Sequence, residues 1–208
     1  GKELVQPGSP VSPGKIYESN SFGLTAALNQ LNISPVSVQV VDDDEIEIIN
    51  AVTNQLQNEI IILTGGVSVG DYDFVAGALE KCGVKKIFHK VKQKPGKPFY
   101  FGKHNNTLVF ALPGNPAAVL ACYYEYVVFA ISNFTKKEYF RKLILPLAND
   151  YEKKPGLTYF MKGITNGSEV IILNHQESYL MNSFAIADCI IELKEENEFY
   201  KIGDLVNI

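Results

Sequence analysis

Cysteine is scarce in this 208-residue chain, and Cys82, Cys122 and Cys189 lie too far apart to match a metal-ligand spacing or a redox pair. They read as reduced thiols of a cytosolic protein, and no disulfide framework is expected. Histidine is equally rare, and His89, His104 and His175 share no metal spacing. No run reaches the roughly 18 apolar residues of a membrane span. The opening GKELVQPGSPVSPG lacks the basic-then-apolar layout of a signal peptide, and its Pro and Gly content fits the interior of a longer protein. A soluble, cytoplasmic chain with no membrane contact is therefore expected. Positive charge is not in excess either. A net charge of -4 argues against nucleic acid as a partner and requires any anion to be held by a local basic site. Internal repeats and low-complexity segments are missing. So are the GK[ST] of a Walker loop and the G-x-G-x-x-G dinucleotide fingerprint.

What is present fits a globular protein, with 46% hydrophobic and 20% charged residues and enough length for two unequal domains. Asn20 is placed to cap a helix in which Leu24, Leu28 and Leu31 share one face. PVSVQVV (residues 35–41) reads as a strand. Asp42 and Glu45 resemble a capping box, opening a helix with Ile46, Ile49, Val52 and Leu56 as its buried stripe. EIIILT (59–64) is apolar on both faces, as a strand covered by helices must be. A short helix ending at Gly83, a strand from residue 85, a hairpin around HNN (104–106) and a long helix from Pro116 follow. Residues 1–138 are thus expected to be α/β, a three-layer domain with a mostly parallel sheet. Residues 139–208 read as a small all-β domain, barrel-like, from TYFMKGITNGSEVIIL, SFAIADCIIEL and YKIGDLVNI, with Asn166 and Gly167 as a hairpin turn.

Three loops carry candidate chemistry. GGVSVGDYD (65–73) follows the apolar strand, where open α/β sheets collect ligands. Gly65, Gly66 and Gly70 bare the backbone N–H groups toward an anion, and Thr64 and Ser68 add hydroxyls. Asp71 and Asp73 would repel that anion unless a cation such as Mg²⁺ lay between. A solvated turn capping the next helix is the plainer alternative. In KPGKP, Pro95 and Pro98 restrain Lys94 and Lys97, so two ammonium groups are held near one spot at reduced ordering cost. A solvated basic turn would look the same. In LPGNP, Pro113, Gly114 and Asn115 precede a helix whose N-terminus offers free N–H groups, unless it is simply a capped start.

Preceded by GKELVQPG and GKIYESN, the stretches GGVSVGDYD, KPGKPFYFG and ALPGNPAAV resemble the molybdopterin molybdenumtransferases, the MoeA/gephyrin family of molybdenum-cofactor biosynthesis. The resemblance covers nearly the whole chain. It implies a molybdopterin-binding α/β domain, then the family's C-terminal β domain, with HQESYLMNSFAIAD supplying its Gln-x-Ser stretch and Ser178. The implied reaction is Mg²⁺-dependent insertion of molybdate, a substrate, into adenylylated molybdopterin with release of AMP. By the same resemblance Glu3 and Asp73 are catalytic, and Asp73 is a better metal ligand than Asp71. Thr64, Gly65, Gly66, Ser68, Lys94, Lys97, Pro98, Pro113, Gly114, Asn115 and Ser178 bind substrate. Thr64 stands where the family has Ser and keeps the hydroxyl, whereas Ala117 and Ala118 replace Val-Ser and lose one.

The family is a homodimer whose active site is completed by an N-terminal domain of the partner subunit. This chain starts after those domains, so it is expected to be a C-terminal half that keeps the binding face and loses most turnover. A molybdopterin adenylyltransferase, or a non-catalytic scaffold on the same fold, are the alternatives. The appended β region and LPGNPAAV speak against the first.

Overall fold

The computed structural model describes residues 3–67, 74–177 and 181–208. Strands β1 (Leu4–Val5) and β2 (Ile16–Tyr17) pair in parallel and lead into helix α1 (Asn20–Gln30). Helix α2 (Glu45–Thr53), strand β3 (Ile60–Thr64), helix α3 (Phe74–Lys81) and strand β4 (Lys85–His89) follow. Beyond the two-residue strand β5 (Gln93–Lys94), β6 (Tyr100–His104) and β7 (Thr107–Leu112) form the hairpin, turning at Asn105 with φ +50°. Asn tolerates that conformation at low cost. Helix α4 (Pro116–Cys122), a π-helical turn (Tyr123–Val127) and helix α5 (Val128–Thr135) continue one another.

The sheet of this region runs β3-β7-β6-β4, with β3 and β7 parallel and the other two pairings antiparallel. It is the middle of three layers. Because side chains alternate along a strand, Phe110 and Leu112 of β7 pack with Leu24 and Leu28 of α1, while Val109 and Ala111 meet Val52 of α2 and Leu79 of α3. The segment Pro116–Thr135 has 20 residues and contains an 18-residue stretch of mean hydropathy 1.4, enough by length and composition to cross a membrane. Here it is a core helix, with Val119, Cys122, Tyr123 and Val127 buried in the first of those clusters.

The second region contributes β8 (Ile144–Pro146), β9 (Tyr151–Glu152), β10 (Thr158–Thr165) and β11 (Val170–Ile172), then helix α6 (Asn182–Ile186) and strands β12 (Cys189–Leu193), β13 (Phe199–Tyr200) and β14 (Leu205–Asn207). Its main sheet runs β11-β10-β12-β14-β8, and a bridge between Leu147 and Val170 brings its two ends together like a barrel. Leu147, Met161, Ile191 and Leu193 form the core. Asn166 and Gly167 make the expected turn: Asn166 Oδ1 accepts from Ser168 N (2.9 Å) and Glu169 N (3.0 Å), and Gly167 has φ +88°.

Several local expectations change. Residues 35–41 form no strand; Val36, Val38 and Val40 are 86%, 54% and 55% exposed. Their alternation is strand-like, but a strand also needs a partner for its backbone groups, which side-chain periodicity does not report. Ser19, not Asn20, is the N-cap of α1, so the Asn20 carboxamide is free for another role. Helix α2 is capped by Asp44 rather than Asp42, with Oδ1 accepting from Ile46 N and Glu47 N. Val52 is buried as expected, with Ile49 and Leu56 packed against the same core, while Ile48 is buried in place of Ile46, which is 68% exposed. In SFAIADCIIEL the first half is helix α6 and only the second half is a strand.

The π-helical turn carries a titratable group toward the second region. Burial pushes the Glu125 carboxyl up to about 7, with Lys142 lowering it and Glu192 of β12 raising it. The folded state therefore keeps a proton that the unfolded chain releases, and stability falls as pH rises from 4.5 through 7. Thermal denaturation across that window should show a shallower fall for Glu125→Gln than for the wild type. An identical slope in the two proteins would contradict this.

Candidate functional site

Parallel pairing sends the chain out of β3 and β7 on the same side, since Thr64 is in register with Leu112. The two exits touch: Gly65 N donates to Leu112 O at 3.1 Å, and a Cβ on Gly114 would stand 3.6 Å from Gly65 Cα. Thr64 is exposed at the end of its strand. Gly65 and Gly66 have φ of +82° and +68°, and a Cβ on Gly66 would collide with Val75 of α3. Only glycine suits that position. Ser68, Gly70, Asp71 and Asp73 lie outside the described residues.

At the third loop Pro113 is buried, while Gly114 and Asn115 are exposed. Asn115 Oδ1 accepts from Ala117 N (3.1 Å) and Ala118 N (3.4 Å). The cap thus uses two N–H groups that a free helix N-terminus would offer an anion, leaving the helix dipole as the favourable contribution. Asn20 reaches the same loop, its Nδ2 donating to Gly114 O at 3.0 Å. Its Oδ1 is buried with no hydrogen-bond partner among the described residues, which marks it as an acceptor with room for a donor. Sequence reasoning missed this role because Asn at a helix start reads first as a cap.

The KPGKP loop belongs to both regions. Strand β5 pairs in parallel with β10, Gln93 opposite Thr158 and Lys94 opposite Tyr159, so this loop extends the sheet of the second region. Its other side packs on α4: a Cβ on Gly96 would stand 2.5 Å from Cys122 Sγ and 3.9 Å from Ala118 O. Lys94 and Lys97 are exposed and Pro98 is half-buried. Lys94 Nζ lies 5.0 Å from the centroid of the Tyr159 ring, whose face also receives Lys153 Nζ at 5.2 Å. The described parts of the three loops are therefore linked by packing, loop to loop at Gly65 and Gly114, and loop to helix at the buried Gly96 and Ala118. Glu3 is exposed at the start of β1, where its carbonyl accepts from Ile16 N at 2.9 Å. Ser178 lies outside the described residues.

One basic residue was not anticipated. Lys162 of β10 is only 5% exposed, with Nζ donating to Ser183 Oγ at 2.6 Å and lying 5.2 Å from the Phe184 ring centroid. Burial pulls its pKa down, and Glu177 raises it. It lines a cavity of about 30 Å³ with Pro95 of the lysine loop, Ala117 of α4, Phe160 and Gln176. A buried lysine thus lies beside two of the candidate loops. Its position in a strand with no motif gave no sequence signal.

The linked loops carry ammonium groups, bared backbone and a helix N-terminus, groups of the kind that bind anions. Among the described residues, no group of three or more His, Cys, Asp and Glu side chains could hold a metal ion. The cysteines are free, and burial pushes Cys122 and Cys189 up to about 12, keeping them as thiols. A larger groove of about 600 Å³, lined by Phe88, Phe101, Leu108, Phe129 and Phe134, is apolar and unsuited to an anion.

Residues 1–133 match the family described as "Probable molybdopterin binding domain", and residues 145–208 match "MoeA C-terminal region (domain IV)". Among curated relatives, a molybdopterin molybdenumtransferase of Haemophilus influenzae is 33% identical, the match covering all of this chain and 54% of that protein. One from Nostoc sp. is 31% identical, over all of this chain and 45% of its own length. The chain thus spans about half the length of these relatives. The fold is similar to that of a molybdopterin biosynthesis MoeA protein from Pyrococcus horikoshii, with a TM-score of 0.79 and 24% identity over 99% of this chain and 51% of that one. On these matches, the chain belongs to the molybdopterin-binding domain family, in the MoeA arrangement that joins this domain to the MoeA C-terminal domain.

Proposed function

We propose that this chain forms the substrate-binding half of an enzyme that inserts molybdate into adenylylated molybdopterin and releases AMP in molybdenum-cofactor biosynthesis. The observation that carries this reading is the contact of the loop after β3 with the start of α4, and of that helix with the lysine loop. Phosphate oxygens of the substrate would lie on the bared backbone at Gly66 and Gly114, beside the turn that Gly65 makes, with Thr64 donating a hydroxyl. Lys94 and Lys97 balance charge on the phosphates and the incoming oxyanion. Pro98 and Pro113 stiffen the loops, and Ser68 and Ser178 add hydroxyl donors.

Asp73, with Asp71 beside it, is the proposed holder of Mg²⁺, which when bound supplies charge neutralisation at the pyrophosphate. Glu3 is proposed as the second catalytic carboxylate. We place the protein in the cytoplasm, working as a homodimer, with division of labour at residue 138 between the α/β and β domains. Titration calorimetry with adenylylated molybdopterin should give saturable binding at one molecule per chain. An absence of saturable heat would remove the reading.

A further inference from the structure

We infer that Gln93 is a positioning residue for the lysine loop, a role that deepens the functional reading above and rests on it for its effect on substrate. Gln93 is 2% exposed, an unusual place for a carboxamide unless its polar atoms are all used. They are. Its Oε1 accepts from Tyr126 Oη of the π-helical turn, and its Nε2 donates to Pro95 O at 3.0 Å and Cys122 Sγ at 3.4 Å. Its backbone meanwhile pairs with Thr158 of β10.

One side chain thus ties the long helix to the carbonyl of the residue between Lys94 and Gly96, while the same residue's main chain ties that loop to the second region. Cys122 and Tyr126 are four positions apart and reach Gln93 from one side of the helix. Loss of the carboxamide leaves the Pro95 carbonyl and the Tyr126 hydroxyl to find other partners, and the lysines lose their fixed distance from the helix start. No atom of Gln93 needs to touch the substrate for this to matter.

The test uses amide hydrogen exchange first, because it needs no ligand. In Gln93→Met, which keeps the volume and removes the polar atoms, exchange at Val91 and Phe99, whose N–H groups donate to Lys97 O at 2.9 and 3.1 Å, should rise about tenfold, the equivalent of one or two neutral hydrogen bonds. Exchange in β7 should stay at the wild-type rate. Tyr126→Phe should give a smaller rise, and the double variant should be no worse than Gln93→Met alone. Gln93→Glu adds a readout that simple packing would not move: when protonated, its carboxylic acid can both accept from Tyr126 and donate to Pro95. Loop protection, measured against wild type at each pH, should approach wild type in acid and fall away as the carboxyl ionises.

With adenylylated molybdopterin as probe, Gln93→Met should bind about tenfold more weakly while its folded fraction is unchanged. Loop exchange within twofold of wild type in Gln93→Met, or pH-independent protection in Gln93→Glu, overturns the inference. If the exchange results hold but the wild type binds no probe, the positioning role stands and the functional reading falls.

Discussion

Replacing Gly96 with Ala should lower stability by about 3 kcal/mol, the sum of a positive-φ cost and overpacking. The residue has φ +92°, and a methyl group there would stand 2.5 Å from Cys122 Sγ and 2.8 Å from Gln93 Nε2. Both neighbours are buried, so neither can swing into solvent. The loop must move off the helix instead. For a chain of this length, that destabilisation corresponds to a drop in Tm of about 10 °C. Gly167 provides the comparison, because its φ is +88° but nothing lies within 4 Å of the added methyl. Gly167→Ala should therefore cost only about 1 kcal/mol, the backbone part alone. Equal losses in the two variants would show that the Gly96 contact with the helix carries no weight.

The second large effect concerns charge. Lys97→Ala should weaken binding of adenylylated molybdopterin about 30-fold, the loss of one charge-assisted contact of about 2 kcal/mol. Lys94→Ala should cost less affinity, since its ammonium faces the Tyr159 ring rather than standing apart from it. It should add a small stability loss of about 0.5 kcal/mol from the cation–π contact. In the double variant the dependence of affinity on salt should flatten, because two of the charges that attract the ligand are gone. Titration at low and high ionic strength reads both effects. An unchanged salt dependence would mean that the lysines do not meet the ligand.

Much of the α/β region was legible because its signals are local and repeated. The apolar run at β3, the turn residues Asn105 and Gly83, and the Asn115-Pro116 helix start each specify a backbone conformation by themselves. The stretch 35–41 failed for the opposite reason: alternating valines describe two faces but not a neighbour. Helix α2 was found with Ile49, Val52 and Leu56 on its packed face, but its start was misplaced, because three consecutive aspartates, Asp42, Asp43 and Asp44, are chemically equal candidates for one cap.

The candidate site was read as three loops of one region. What escaped was the crossing between regions, since β5 has two residues and no pattern of its own. Lys162 and Gln93 escaped with it. Both are polar side chains buried by contacts more than a dozen residues distant, such as Ser183 for the first and Tyr126 for the second. Distance along the chain hides such pairs from any window-based reading.

The most direct test is the footprint of adenylylated molybdopterin in amide hydrogen exchange. Protection is expected to appear together at Gly66, at Gly96 and Lys97, and at Gly114 and Asn115, all saturating at one ligand concentration. Protection confined to the aromatic groove around Phe88 and Phe134, or to one of the three loops with the others unchanged, would contradict it.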